Sequence, residues 1–236
     1  MKSRKRFRNL SKFEWILWVL SMIIVAGSYL CGEDSSLLSL AASLVGVTAL
    51  IFVAKGDVFG QILTVAFSLL YAGISWQFRY YGEMITYLGM TAPIAALSVV
   101  TWLRHPYQSG KAEVEVAQLG FRKIAGIFLA TVIVTCIFYC ILKYFHTANL
   151  IVSTVSIATS FLASYLMLCR SPFYAIAYAA NDIVLITLWT LAAMESLSYL
   201  PMAACFLMFL CNDIYGFYNW RRMKRRQTEA RSQVID

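Results

Sequence analysis

Charge is scarce in this chain. Only 14% of its 236 residues are Asp, Glu, Lys or Arg while 60% are hydrophobic, and the apolar residues come in long blocks rather than at amphipathic intervals. That pattern excludes a soluble globular domain. Histidine is scarcer still. His105 and His146 are expected on opposite membrane faces, which excludes a shared metal site or a bis-His haem within one chain. There is no Gly-rich phosphate loop of the Walker type and no Gly-x-Ser-x-Gly elbow. Nor do the polar residues supply a nucleophile, base and oxyanion set, so the expectation is a protein that is not an enzyme and uses no cofactor. The six cysteines give no disulfide framework. Cys136, Cys140, Cys205 and Cys211 fall inside apolar stretches and Cys31 and Cys169 at their ends, positions suited to small buried hydrophobes.

What the chain does have is eight apolar blocks of spanning length: Trp15 to Cys31, Ser36 to Ala54, Val58 to Trp76, Met84 to Leu103, Ile124 to Lys143, Leu150 to Leu168, Pro172 to Ala193 and Ser198 to Trp220. They predict an all-α polytopic membrane protein. Lys and Arg collect in short cytoplasmic loops, and eight spans with both termini inside put nearly all the basic residues there, leaving only Arg79 and Lys143 outside. The external turns then carry Glu33, Asp34, Glu83 and Glu195. The net charge of +8 is therefore an orientation signal in contact with anionic lipid, and no nucleic-acid partner is expected. A cell-membrane location follows. Lys2 to Lys12 followed by Trp15 to Ala26 resembles a signal peptide, but the apolar run continues to Cys31, which favours a retained helix.

The longest connection, Arg104 to Lys123, contains the helix breakers Pro106 and Gly110 and reads as a solvated cytoplasmic linker. It divides two similar triplets of spans. Each passes through a cytoplasmic turn with one base (Lys55 or Arg170), has a middle helix ending near Trp76 or Trp189, and closes at Trp102 or Trp220. The organisation expected is 1–35 for a basic tail and an extra amino-terminal helix, 36–103 for the first triplet, 104–149 for linker and connecting helix, 150–221 for the second triplet and 222–236 for a basic tail. The connecting helix keeps the triplets parallel, a 3+1+3 arrangement whose binding sites lie at the repeat interface near mid-membrane.

Asp182 sits in the middle of the seventh block, and Asn212 and Asp213 interrupt the eighth. Counting at 1.5 Å per residue from the cytoplasmic ends puts Asp182 at about 15 Å and Asn212 at about 13 Å, one shared layer. An ionisable side chain there costs about 2.5–3.5 kcal/mol on insertion scales and marks a bundle interior or a substrate path. Ser68, Tyr71 and Thr91 occupy the matching layer of the first triplet, where Pro93 frees a backbone carbonyl. Tyr174, Tyr178, Asp182 and Trp189 follow one face of the seventh span, and Asn212, Tyr215 and Asn219 form a polar face on the eighth. Asn and Asp can hold vicinal hydroxyls and an amide, Asp can neutralise a cation, and aromatic faces can stack on a flat ring. Two competing readings are a proton relay and helix–helix hydrogen bonding in a non-transporting sensor or assembly subunit. Trp76 and Trp189 also fit an external aromatic belt and Trp102 and Trp220 an internal one, while Gln61 lies near a span end where solvent reaches it.

Three runs, FYAIAYAANDIVLITLW from Phe173, MESLSYLPM from Met194 and FLCNDIYGFYNWRRMKRRQ from Phe209, resemble the carboxy-terminal half of PnuC-type vitamin B3 transporters. DVFGQILTVAFSLLYAGISW from Asp57 and RYYGEMITYLGMTAP from Arg79 resemble the matching first-half segment. The resemblance implies uptake of nicotinamide riboside by facilitated diffusion, with inward flux maintained by phosphorylation inside the cell. It further implies a SWEET-like architecture, an extra amino-terminal helix and a homotrimer. The family's site of Asn, Gln and aromatic residues maps here onto Asn181, Asn212 and Trp189, with Asp182, Asp213, Tyr178, Tyr71, Ser68 and Thr91 completing the expected layer. Some members carry Trp and Asn where this chain has Tyr71, Thr91 and Pro93, so a related pyridine nucleoside or the free vitamin is an alternative ligand. A proton-coupled symporter is an alternative mode.

Overall fold

In lipid every backbone N–H and C=O must be satisfied within the protein, so a chain of apolar blocks folds into helices. The computed structural model describes residues 7, 9–30, 37–77, 80–108, 112–147 and 149–235, and holds eight helical stretches long and apolar enough to cross a membrane. The expectations placed on Cys31, Glu33, Asp34 and Arg79 lie outside the described residues. The chain runs α1 (Lys12–Leu30), α2 (Leu37–Ala54) and α3 (Val58–Gln77). A fourth span is made of α4 (Tyr81–Thr86), a π-helical turn (Tyr87–Thr91) and α5 (Ala92–Arg104). Then come α6 (Phe121–Tyr144), α7 (Leu150–Leu168) and α8 (Tyr174–Ala193), and after a 3₁₀ turn (Leu197–Tyr199) α9 (Leu200–Ile235). Hydroxyls inside the spans turn back on their own helices, as Thr48 does to the Leu44 carbonyl and Thr131 to that of Ile127.

Several boundaries differ from expectation, and the first and fifth spans start early, at Lys12 and Phe121 rather than Trp15 and Ile124. The fourth span starts at Tyr81 rather than Met84, and the last helix does not stop at Trp220 but runs to Ile235. At 36 residues α9 is about 54 Å long, so its basic end stands beyond the hydrocarbon. The π-helical turn sits immediately before Pro93, whose missing N–H and ring disturb the regular i→i−4 ladder one turn upstream.

The two triplets meet reciprocally. The first helix of one, α2, packs along the last helix of the other, α9, and α7 packs likewise against α5. The turns that follow α2 and α7 are built alike. Gly56 and Arg170 lie at φ of 67° and 57°, the left-handed conformation that ends a helix and strains any residue with a Cβ. The next N–H, of Asp57 or Ser171, bonds back to Phe52 or Leu166, and its side chain then accepts from the N–H of Phe59 or Phe173. Trp102 Nε1 donates to the Met167 carbonyl at the end of α7 (3.3 Å), and Trp220 Nε1 to the Val53 carbonyl at the end of α2 (2.9 Å). Each triplet's last helix is thereby clasped to the other's first. Trp102 and Trp220 are buried with ring centroids 5.5 Å apart, not set in an internal interfacial belt. α1 lies outside against α2 and α9, and α6 packs chiefly on α7 with Phe128, Leu129, Val132, Ile133 and Ile137 turned outward.

The linker is not solvated along its length. Val114 and Val116 are buried beside Trp102, Trp220 and Met223 because the strand between them is held on both sides. Val114 N–H bonds to Gly56 O and Ala117 N–H to Arg170 O, so this short strap is tied to the α2–α3 and α7–α8 turns, one in each triplet. Gln227 of α9 completes its backbone pairing, donating to Val114 O and accepting from Val116 N–H. Ion pairs Arg226–Glu113, Arg231–Glu115 and Arg170–Glu115 flank it.

Candidate functional site

On α8 the residues Tyr174, Tyr178, Asn181, Asp182, Leu185 and Trp189 fall at helical spacing and share one face. Most of that face is buried between the triplets, where it borders a cavity of about 50 Å³, room for a few waters. Every span of both triplets reaches this cavity: Gly46, Ala49, Leu50 and Val53 of α2, Thr64 and Phe67 of α3, Tyr87 and Thr91 of the π turn, Ser160 and Met167 of α7, Tyr178, Asn181 and Asp182 of α8, and Phe206, Phe209 and Asp213 of α9. Its polar wall belongs to the second triplet and its aromatic wall to both.

Asp182 and Asp213 are side by side across α8 and α9, within hydrogen-bonding reach, and both are buried. The Asp182 Oδ2 atom has no donor. Two carboxyls so placed away from bulk solvent either share a proton or receive a cation. Asn181 is held by its Oδ1, which accepts from Thr159 Oγ1 (2.8 Å) and Ser160 Oγ (3.0 Å), leaving its amide donors available. The Tyr178 hydroxyl is fixed on Ser164 Oγ (2.9 Å). These hydroxyls come from a buried stripe on α7, Ser153, Ser156, Ser160 and Ser164, which the sequence reading missed although their spacing of three and four marks one helix face.

Aromatic layers shut the cavity on both sides. Outward, Trp189 Nε1 donates to Tyr71 OH (2.8 Å), Tyr80 packs on Trp189 and Tyr71 on Tyr87 and Phe206. Inward, Tyr174 packs on Trp220, itself against Trp102. Trp189 is thus interior rather than in an external belt, unlike Trp76, which is exposed beside Tyr81.

Among the expected site residues, Asn181, Asp182, Asp213, Tyr178 and Thr91 line the cavity, and the buried Thr91 hydroxyl has no partner. Tyr71 and Trp189 stand one layer outside it, and Ser68 bonds to the Thr64 carbonyl of its own helix. Asn212 does not face Asp182. Consecutive residues on a helix point about 100° apart, and the inward face of α9 is set by Phe206, Phe209 and Asp213, so Asn212 turns to α1. There its Nδ2 donates to Ser21 Oγ and the Met208 carbonyl. The carboxyl partner of Asp182 is Asp213, and the expected Asp182–Asn212 layer is corrected accordingly. Tyr215 and Asn219 also leave the cavity, the first donating to Glu14 Oε1 of α1 and the second to the Ala54 carbonyl. Glu83, expected in a solvated turn, and Gln61, expected near solvent, are both 1% exposed. Among the described residues no group of three His, Cys, Asp or Glu could hold a metal ion.

Eight spans enclosing a small polar cavity between two reciprocally packed triplets, closed by aromatic layers on either side, define a multi-pass membrane transporter. The profile of the nicotinamide mononucleotide transporter family matches residues 36–222. The chain belongs to that family. It is 27% identical over 229 residues to the nicotinamide riboside transporter PnuC of Neisseria mucosa, an alignment covering 95% of this chain and 87% of that protein. It is 23% identical over 215 residues to the nicotinamide riboside transporter PnuC of Haemophilus influenzae, with 91% and 92% covered. The fold is similar to a crystal structure of the vitamin B3 transporter PnuC at a TM-score of 0.82 and 26% identity, covering 95% of this chain and 97% of that one.

Proposed function

We propose that the chain carries nicotinamide riboside into the cell by facilitated diffusion, with the substrate held between the triplets and the triplets rocking about it to alternate access. The observation that carries this reading is the buried Asp182–Asp213 pair at the cavity between the triplets, which suits a flat organic cation bearing hydroxyls. In the reading, the pair faces the pyridinium, Asn181 donates to the amide or ribose oxygens, and Tyr87, Phe67, Phe206 and Phe209 offer ring faces. Trp189, Tyr71, Ser68 and Asn212 support that shell from behind. A cavity of about 50 Å³ is far smaller than the ~300–1,000 Å³ of ligand pockets, so binding requires the triplets to part.

In this reading both termini are cytoplasmic in a cell-membrane protein, which the basic residues near the chain ends support, and the trimer that the resemblance implies has the outward apolar face of α6 available. Labelled nicotinamide riboside should enter liposomes containing the purified protein down its gradient. Flux no greater than that of empty vesicles refutes the reading and favours a non-transporting sensor. The proton-coupled alternative draws on the same carboxyl pair and predicts accumulation that vanishes when the pH gradient is collapsed.

A further inference from the structure

Glu83 is the carboxyl the binding site does not use. It lies on the buried face of α4 with Gly82 and Thr86, is 1% exposed, and neither of its oxygens has a hydrogen-bond partner. Ser156 Oγ of α7 faces it without closing a hydrogen bond of good geometry, and that hydroxyl is also unpartnered. The titratable groups around it are phenols: Tyr71 from α3, Tyr87 from the π turn and Tyr80 from the α3–α4 connection. Tyr87 lines the cavity and lies close enough to interact electrostatically with both Glu83 and Asp182. Among the described residues the carboxylates in salt bridges are Glu14, Glu113 and Glu115, and no cation reaches Glu83.

We propose that Glu83 is a proton site at the outer seam between the two triplets, occupied while the seam is shut and emptied into the external water when it opens. The proposal rests on the carrier reading and adds a regulation to it. A carboxyl buried with no cation, and with at most the Ser156 hydroxyl as a donor, is strongly disfavoured in its ionised form, whereas the neutral acid needs only an acceptor, which the same hydroxyl supplies. Water cannot come from the connecting-helix side. A Cβ added at Gly82 would lie 2.7 Å from Leu142 and 2.9 Å from Thr147, so α4 is packed tightly against the α6–α7 corner. Separation of α4 from α7 is what wets the group. Because opening releases the proton, alkaline external medium favours the outward-open form and acid holds it shut.

One proton changes the open population by up to about tenfold per pH unit. The test is the labelling rate of Tyr80→Cys by a membrane-impermeant maleimide added outside, normalised to Trp76→Cys, an exposed position, so that thiol ionisation cancels. Labelling should rise with external pH in the otherwise native protein and become flat with Glu83→Gln. With Ser156→Ala, which removes the facing hydroxyl and keeps the carboxyl, the slope should persist with a displaced midpoint. That variant keeps the question open to refutation should Glu83→Gln not fold. A pH slope unchanged by Glu83→Gln, or no slope in the parent, or a slope abolished by Ser156→Ala, overturns the proposal. None of these touches the carrier reading, which stands or falls on uptake of the riboside and on its binding at the Asp182–Asp213 pair.

Discussion

Replacing the two carboxyls of the cavity one at a time and then together separates charge from hydrogen bonding. In the closed cavity Asp182 and Asp213 stand close enough to share a proton, so on binding a monovalent organic cation the pair needs to supply only one negative charge. Asp182→Asn leaves Asp213 to carry it, and Asp213→Asn leaves Asp182. Each single variant then loses orientation and a charge-assisted hydrogen bond, about 1–1.5 kcal/mol, or roughly tenfold in affinity. The double variant loses the charge itself. For a pyridinium centred about 5 Å from the carboxylate, Coulomb attraction at an effective dielectric constant near 20 is about 3 kcal/mol, so affinity should fall by a further factor of about 100. The assay is calorimetric titration of the purified protein with nicotinamide riboside and, in parallel, with its neutral 1,4-dihydro analogue, which keeps the ribose and amide. The analogue should lose no more in the double variant than in the singles. If single and double variants lose the same affinity, or if the neutral analogue loses as much as the cation, the charge-sharing argument is wrong.

Three further expectations follow from the same geometry. Trp102→Phe and Trp220→Phe each remove an indole donor from a carbonyl that keeps a backbone donor, Arg170 N–H on Met167 O and Gly56 N–H on Val53 O, so each should cost about 0.5–1.5 kcal/mol, and the two should cost similar amounts because their roles are reciprocal; thermal unfolding in detergent measures both, and a large effect confined to one denies the reciprocity. Gln227→Ala leaves Val116 N–H and Val114 O unpaired and should release the strap, seen as faster proteolysis within residues 112–119 with the helical circular dichroism retained. Asn212→Ala should weaken the seating of α1 on α9 and change riboside affinity less than threefold, whereas Asn181→Ala should reduce it about tenfold; comparable losses at both positions would put Asn212 in the binding shell after all.

The number and order of the spans could be read from the sequence because a bilayer admits few solutions. Blocks such as Leu37–Ala54 have the length and apolarity that fix a helix without reference to any neighbour. The mid-membrane acids were legible for the same reason, since Asp182 in an apolar run demands a partner. Which partner was not. Asn212 and Asp213 are adjacent, and the choice between them depends on the rotation of α9, which Phe206 and Phe209 settle by packing into the core. The indoles show a related limit: Trp102 and Trp220 sit at span ends, as belt residues do, and only the crossing of α5 with α7 and α9 with α2 turns them inward. Polarity misled for Glu83 and for the linker. A short polar connection between two spans and a stretch of Lys, Glu and Gln both look solvated, but tertiary contacts bury Glu83 and stitch Val114 and Val116 beneath the bundle.

Two glycines on neighbouring helices offer a sharper test of which contacts are structural and which belong to the cavity. At Gly60 an added Cβ would lie 2.4 Å from the Val53 backbone nitrogen and 2.9 Å from the Ala49 carbonyl, so α2 and α3 touch backbone to backbone and neither can yield without moving a helix. Gly60→Ala should therefore lower thermal stability and riboside binding together. At Gly46, which lines the cavity, the same atom would meet the rings of Phe209 at 2.4 Å and Phe67 at 2.9 Å. Rings can rotate toward empty space, and the nearest space is the cavity itself. Gly46→Ala should then leave the unfolding midpoint close to that of the parent while filling the site and reducing affinity for the riboside, about tenfold if one methyl group's worth of room is lost. The two measurements answer different questions. Equal destabilisation by both substitutions would mean that the aromatic wall is as rigid as the helix backbone, and a wall that cannot give could not open around a substrate several times larger than the space it now encloses.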